Sequence, residues 1–403
     1  MVWQTKKLDE VCDIFNGLWT GKKPPYIDVA VIRNTNFTKD GFLDDSNIAN
    51  LRVEVKQYKN RKLKFGDLIL EKSGGGPKQP VGRIIIFDKK DGEYSFSNFT
   101  SAVRIKDEKE LDYNFLHRFL YFQYISGITE TMQRRSTGIR NLQLKEYKGI
   151  KIPLPLLPEQ LRIVKILDEV FADVARAKTN AEKNLQNSKE LFESYLQSVF
   201  ANPRKDWEEK SLEELGRITS SKRIYKKEYI KTGIPFYRIK EIKELANDKG
   251  ISLELFISKK RYNEIKKTFG VPLVGDVLMT AVGTIGEIYV INNKDEFYFK
   301  DGNILWFKNF KSIDSYFLKY VLMSFVEQIK KLSKGSAYNA LTIEKIKKHK
   351  IFIPKLREQK SIVKKLDVLS EKTKKLEKIY QQKIADLEEL KKSILKKAFS
   401  EEL

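Results

Sequence analysis

At 403 residues the chain is long enough for two to four structural units. Lysine and arginine outnumber aspartate and glutamate 77 to 54, a formal net charge of +23, so a polyanion is the first partner to consider. One cysteine, Cys12, excludes an internal disulfide framework, and no apolar run reaches the roughly eighteen residues of a membrane helix; a soluble protein of the reducing cytoplasm is expected.

Residues 1–150 read as an α+β globule that opens on Trp3, Leu8, Glu10 and Val11. A polar loop, NGLWTGKKPPY, leads into the β-rich run VAVIRNTNF, which contains Arg33. Phe65-Gly66-Asp67-Leu68-Ile69-Leu70 is a turn followed by a buried strand, and that strand enters the glycine-bearing loop EKSGGGPKQPVG. Residues 113–125 form an amphipathic helix of aromatic and aliphatic side chains, and the loop STGIRNLQ from Ser136 ends the globule.

Residues 151–202 are a spacer. Pro155 and Pro158 close an extended lead-in, and a long helix begins after them, because proline is tolerated at a helix start and not inside. Its seam positions alternate by four and three: Ile163, Leu167, Val170, Val174, Ala177, Ala181, Asn184, Ser188, Leu191 and Tyr195. A sustained 3.5-residue period marks helices that wind around one another.

The chain then repeats itself. Residues 203–349 form a second globule, opened by Trp207, Leu212, Glu214 and Leu215, with Arg238 in the run IPFYRIKEI and Val274-Gly275-Asp276-Val277-Leu278-Met279 leading into the loop TAVGTIG. A helix over 316–329 and the loop KGSAYNALT from Lys334 follow. Residues 350–403 repeat the spacer without a gap, placing Pro354 on Pro155, Glu358-Gln359 on Glu159-Gln160 and Leu366-Asp367 on Leu167-Asp168. The second seam runs Ile362, Leu366, Leu369, Thr373, Leu376, Tyr380, Lys383, Leu387, Leu390 and Ile394. With two equal copies in one chain, the simplest partner of each helix is the other. The expected fold is α+β: two homologous globules separated by two long helices that pair as an antiparallel coiled coil with pseudo-two-fold symmetry.

Catalytic motifs are missing. Two histidines, His117 and His349, and one cysteine do not make a repeated metal site. Lys23-Pro24-Pro25-Tyr26 looks like an amino-methyltransferase motif, but lysine replaces the Asn or Asp that would hold the exocyclic amine, and the second globule has no such sequence. Gly17-x-x-x-Gly21-Lys22 is one residue short of a phosphate-binding loop and Lys23 replaces its Ser or Thr. Asp67, Glu71 and Lys72 resemble a damaged nuclease motif, yet Thr280 stands where a repeat would need the second carboxylate.

The loops suit DNA instead. Lys22, Lys23, Lys72, Ser73, Gly74, Gly75, Lys78 and Gln79 bring amide donors, flexible backbone and cations together; Ser221, Lys222, Arg223, Tyr225 and Thr284 do the same in the second globule. Ser136, Thr137, Arg140 and Asn141, and correspondingly Lys334, Ser336, Tyr338 and Asn339, occupy the loops at the ends of the two globules, and Arg134 and Arg135 suit phosphates. Arg33 and Arg238 lie inside strand-like runs, where a structural role is equally expected.

Two globules, each opened by Trp-x4-Leu-x-Glu and followed by an I-x-[IL]-P…EQ-x2-I-V-x2-L-D helix, resemble the specificity subunit of type I restriction-modification enzymes over the whole chain. The resemblance implies target recognition domains that each read one half of a bipartite DNA site. It also implies helices that separate the halves and dock two methylation subunits, with Glu159, Gln160, Glu358 and Gln359 as candidate docking residues. S-adenosylmethionine would belong to those subunits, ATP and magnesium to a restriction subunit where present, and none of them to this non-catalytic chain. The alternatives are a coiled-coil protein that binds nucleic acid without sequence preference, a specificity module of another multi-subunit methyltransferase, and a self-sufficient methyltransferase or nuclease.

Overall fold

The computed structural model describes residues 3–19, 21–76, 79–136, 139–332 and 343–403. They form two compact units, Met1–Glu182 with Gln382–Leu403, and Lys183–Gln381. In each, an α+β globule packs on segments of two long helices, Leu157–Ala201 (45 residues) and Leu356–Phe399 (44 residues). No described helix is long and apolar enough to cross a membrane.

Each globule is closed by its own two ends. Gln4–Lys7 pairs antiparallel with Lys151–Leu154, and Glu208–Ser211 pairs in the same way with Lys350–Ile353. The lead-ins to the long helices are therefore half of a two-stranded sheet whose other half is the opening segment of the globule. Pro153 is tolerated because a two-stranded sheet consists only of edges.

The centre of the first globule is an antiparallel sheet in the order Cys12–Asn16, Thr100–Ile105, Leu68–Glu71, Ile84–Ile86. The second has the same order in Arg217–Thr219, Ile304–Lys308, Val277–Thr280, Ile288–Val290. Helix Tyr113–Ile125 buries Phe115, Leu116, Phe119 and Leu120 in one core with Leu68, Leu70 and Val103, and helix Ser315–Leu332 does the equivalent with Phe317, Leu318, Val321 and Leu322. Before each central strand, Gly66 and Gly275 adopt φ of 86° and 91°, a left-handed turn that only glycine makes without strain. The next residue, Asp67 or Asp276, is buried and accepts from the backbone N–H three residues back, at 2.7 and 3.0 Å.

In the first unit Ile163, Val164 and Leu167 share a core with Leu395 and Ala398, and Lys178 is ion-paired with Glu388; in the second, Leu196 packs with Leu366 and Ile362. The long helices thus run antiparallel within each unit. Of the expected seam Ile163, Leu167, Val174, Ala181 and Ser188 are buried in the first helix and Leu366 and Thr373 in the second, while Asn184, Leu376 and Lys383 are exposed; after Ser188 and Leu387 the inward positions move by one residue. Leu191, Tyr195 and Leu390 are 52, 37 and 44 % exposed, while Leu196 and Leu395 are buried. Beyond that point the inward positions step by four, to Phe192 and Leu196 and to Lys391 and Leu395. A straight helix drifts against a strict seven-residue repeat, and here the drift turns these side chains onto the globule. The Phe192 ring lies 6.3 Å from that of Tyr320, and the Lys391 amine 5.2 Å from that of Tyr121.

Candidate nucleic-acid interface

In the first unit, segments far apart in sequence meet in a three-stranded sheet in the order Gln133–Ser136, Ile139–Leu142, Ser73–Gly75. The sheet sets Arg140 opposite Gly75 and Asn141 opposite Ser73, with the Ser73 hydroxyl 2.5 Å from Asn141 Oδ1. Arg134 donates to Gln143 at 2.8 Å, and Arg135 lies on the same strand. Lys72 precedes the sheet and donates to Asn16 at 2.8 Å, its amine pushed down by burial. Gln79, with its amide oxygen turned inward, accepts from Arg83 at 2.7 Å. Lys22 and Lys23 are exposed in the loop before Tyr26. Arg134, Arg140, Asn141 and Ser73 thus share one sheet, basic and amide groups together, the pattern of phosphate and base-edge contacts. Gly74 and Gly75 also have a local reason: an added Cβ would come to 3.0 Å of Asn34 at the first and 2.7 Å of the Gln79 carbonyl at the second.

Arg33 and Arg238 separate in role. Each backbone N–H donates to the side chain three residues on, Asn36 or Glu241, but the Arg238 guanidinium is taken by Glu241 at 2.6 Å and Glu254 at 2.8 Å. Arg33 Nε is buried with no partner, beside an apolar cleft of about 480 Å³ lined by Trp19, Asn34, Leu51, Ser97 and Phe99. Sequence reading missed this cleft. Its signal was a lone tryptophan in a loop of glycines and lysines.

The second unit corrects one expectation. Ser221 is buried and its hydroxyl donates to the Phe299 carbonyl at 2.7 Å, so it pins two segments together and does not face a ligand. The Lys222 N–H donates to the Tyr298 hydroxyl at 2.7 Å, and Arg223 pairs with Asp301 while remaining largely exposed. Tyr225 is 58 % exposed, and Thr284 is exposed on the loop where its carbonyl accepts from Thr280. Lys78, Thr137, Lys334, Ser336, Tyr338 and Asn339 lie outside the described residues.

Nuclease chemistry finds no free carboxylate in the first globule's central strand. Asp67 is held by Arg104 at 2.7 Å and Glu71 by Arg83 at 2.7 Å, all within the fold. Among the described residues no group of three or more His, Cys, Asp or Glu side chains is placed to hold a metal.

The glutamines of the repeated Glu-Gln pair are corrected as well. Gln160 and Gln359 are fully buried. Gln160 accepts from the Asp112 N–H at 2.9 Å and donates to the Glu110 and Pro155 carbonyls, both at 2.8 Å. Gln359 accepts from the Asp314 N–H at 2.7 Å and donates to the Ser312 and Pro354 carbonyls at 3.1 and 2.9 Å. They fasten each globule's helix to a long helix and leave nothing for a partner. The Leu-Asp pair does related work: Asp168 takes Arg118 at 2.7 Å and Asp367 takes the Tyr320 hydroxyl at 2.5 Å. Glu159, paired with Arg162, and Glu358, paired with Arg204, keep partly exposed side chains.

Known proteins repeat this frame. A family model described as the type I restriction modification DNA specificity domain matches residues 2–185 and 204–388. A putative type I restriction enzyme specificity subunit of Haemophilus influenzae is 29 % identical over 266 residues, 62 % of this chain and 63 % of that protein, so the match spans a little under two thirds of its length. The putative MjaX specificity subunit of Methanocaldococcus jannaschii is 23 % identical over 416 residues, covering 98 % and 92 % of the two chains. A chain in a solved structure of the type I R-M system superposes with a TM-score of 0.80 at 21 % identity, covering 100 % of this chain and 98 % of that one. The HsdS subunit of Thermoanaerobacter tengcongensis gives 0.63 at 19 % identity, covering 100 % and 97 %. With the domain matched twice and the same closing strands, central sheet and buried glutamine built twice, the chain belongs to the family of type I restriction-modification DNA specificity domains.

Proposed function

We propose that this chain is the sequence-reading subunit of a type I restriction-modification enzyme, acting on double-stranded DNA inside the cell. Each globule reads one half of a bipartite, asymmetric site. The long helices set the number of unread base pairs between the halves, and their outer faces receive two methylation subunits; a restriction subunit joins where the host makes one. The methyl donor S-adenosylmethionine belongs to the methylation subunits, ATP and magnesium to the restriction subunit, and this chain catalyses no step. Amide and arginine side chains of the exposed strips read base edges, and lysines contact phosphates.

The observation that carries this reading is a common frame holding two different outer surfaces. The glutamine fastening and the closing strands recur, while the loop after the central strand is Lys72-Ser73-Gly74-Gly75-Gly76 in the first globule and Ala281-Val282-Gly283-Thr284 in the second, and Arg33 keeps a buried unpaired Nε where its counterpart Arg238 is held by Glu241 and Glu254. A reader of one symmetric sequence needs the same surface twice, and a reader of two different half-sites does not. Sequencing of methylated DNA from cells that express the chain with its methylation subunit tests this. Two dissimilar half-sites separated by a fixed gap are expected. A continuous or palindromic motif, or no methylation beyond that of the methylation subunit alone, overturns it.

A further inference from the structure

We propose that the first globule holds one base of its half-site out of the duplex, in the cleft lined by Trp19, Leu51 and Phe99 and floored by Arg33, Asn34 and Ser97. The proposal rests on the DNA-reading function above and names how one half-site is read.

The cleft measures about 480 Å³, within the range of roughly 300–1,000 Å³ typical of small-molecule sites. Trp19, Phe99 and Leu51 are 65, 47 and 38 % exposed, a concentration of large apolar side chains at one concave place that calls for a partner. A stacked base does not supply it. In a duplex both faces of every base are covered by neighbours, and only its polar edge reaches the groove, so apolar walls gain nothing from it. An unstacked base brings two π-faces for tryptophan and phenylalanine and frees its pairing edge.

The polar groups match that edge. Arg33 Nε is a donor, Asn34 Oδ1 an acceptor and Ser97 Oγ either; all three are buried and unpaired, although such atoms ordinarily have partners. The cleft is also continuous with the DNA-facing strip. Gly74 belongs to both, and Asn34 Nδ2 donates to the Ser73 carbonyl at 2.6 Å. Lys22 and Lys23 follow Trp19 in the same loop, suited to the flanking phosphates. In the second unit Arg238, the counterpart of Arg33, is occupied by Glu241 and Glu254, so the extruded base belongs to one half-site only.

The test uses the full chain with its methylation subunit and duplexes of the methylated motif. They carry 2-aminopurine at each purine or pyrrolocytosine at each pyrimidine in turn. Besides the positions that the methylation subunits extrude, binding should raise the fluorescence at one further position of one half-site. Trp19→Ala with Phe99→Ala should abolish that rise without lowering the melting temperature, whereas Trp19→Phe should keep it. A mismatch at that position, which weakens pairing, should tighten binding by about tenfold or more for the wild-type chain and not for the double variant. Specific binding with no position that depends on Trp19 and Phe99 overturns the cleft and leaves the DNA reading intact. No preference for the motif over random DNA overturns both.

Discussion

The helix Tyr113–Ile125 of the first unit and the helix Ser315–Leu332 of the second both start at an aspartate whose backbone amide is held by a buried glutamine. Six residues after that aspartate their chemistry divides. Arg118 reaches Asp168 in one unit and Tyr320 reaches Asp367 in the other. Further along, the long helices present Lys391 to Asp40 and the Tyr121 ring in the first unit, and Phe192 to the Tyr320 ring in the second. The fastening fixes backbone groups through glutamine and leaves the carboxylate free to accept from either a guanidinium or a phenol. Backbone geometry is what the two units share; side-chain chemistry is where they differ.

The largest expected effect is a change of target. Seven residues inserted after both Ala181 and Tyr380 fall before Ser188 and Leu387, ahead of the point where the inward positions move, and lengthen each helix by about 10 Å. The methylated motif should keep both half-sites and widen its gap by about three base pairs. Binding should weaken, because the second half-site turns by roughly 100° around the duplex. An unchanged gap in a folded, methylation-competent variant removes the helices as the ruler. Next in size, Gln160→Ala and Gln359→Ala each lose three buried hydrogen bonds, and each should destabilise its own unit by about 3 kcal/mol in urea unfolding. Unequal losses break the equivalence of the two fastenings.

Acid should separate the units less strongly. His117 is buried, and burial, helped by the Arg118 charge, pushes its imidazole down to about 3. The unfolded chain takes up that proton below about pH 6.5, so acid favours unfolding and the first unit should lose about 2 kcal/mol between pH 7.5 and 5. The pH-dependent part should vanish in His117→Gln. His349 of the second unit, also held down by burial and 4.0 Å from the Phe325 ring, adds a smaller loss of the same sign. The smallest effect is the contrast between carboxylates. Asp168→Ala leaves the buried Arg118 cation without its partner and should cost about 2 kcal/mol, discounted because Asp168 itself is half exposed. Asp367→Ala loses a single phenol hydrogen bond and should cost about 1 kcal/mol. Equal costs would mean that the nature of the donor does not matter.

Periodicity carried most of the fold. The two long helices, their antiparallel pairing and the repeated globules follow from residues that recur at fixed offsets, and the turns before the central strands were readable from Gly66-Asp67 and Gly275-Asp276. What the sequence hid were partners far along the chain. Gln160 reads as a surface residue at a helix start until Asp112, 48 residues earlier, meets it, and Ser221 reads as a DNA donor until the carbonyl of Phe299 arrives from 78 residues on. The move of the seam after Ser188 was ambiguous because Leu191 and Phe192 are both apolar, and only the neighbouring Tyr320 ring selects between them. The strip of Ser73, Arg140 and Asn141 was legible as parts, since each loop stood out by composition; their assembly into one sheet was not.

The closing strands have a genetic consequence. Thr5 lies opposite Pro153 and Glu209 opposite Phe352, so the point where the chain enters each globule lies beside the point where it leaves. Everything between them is a cassette with adjoining ends. Recombination that crosses over in these short strands exchanges a whole reader while leaving both long helices unbroken, provided that the newcomer brings the aspartate whose amide Gln160 or Gln359 holds. Selection for a new DNA target can then act on one cassette at a time, with the scaffold and the other half-site unchanged.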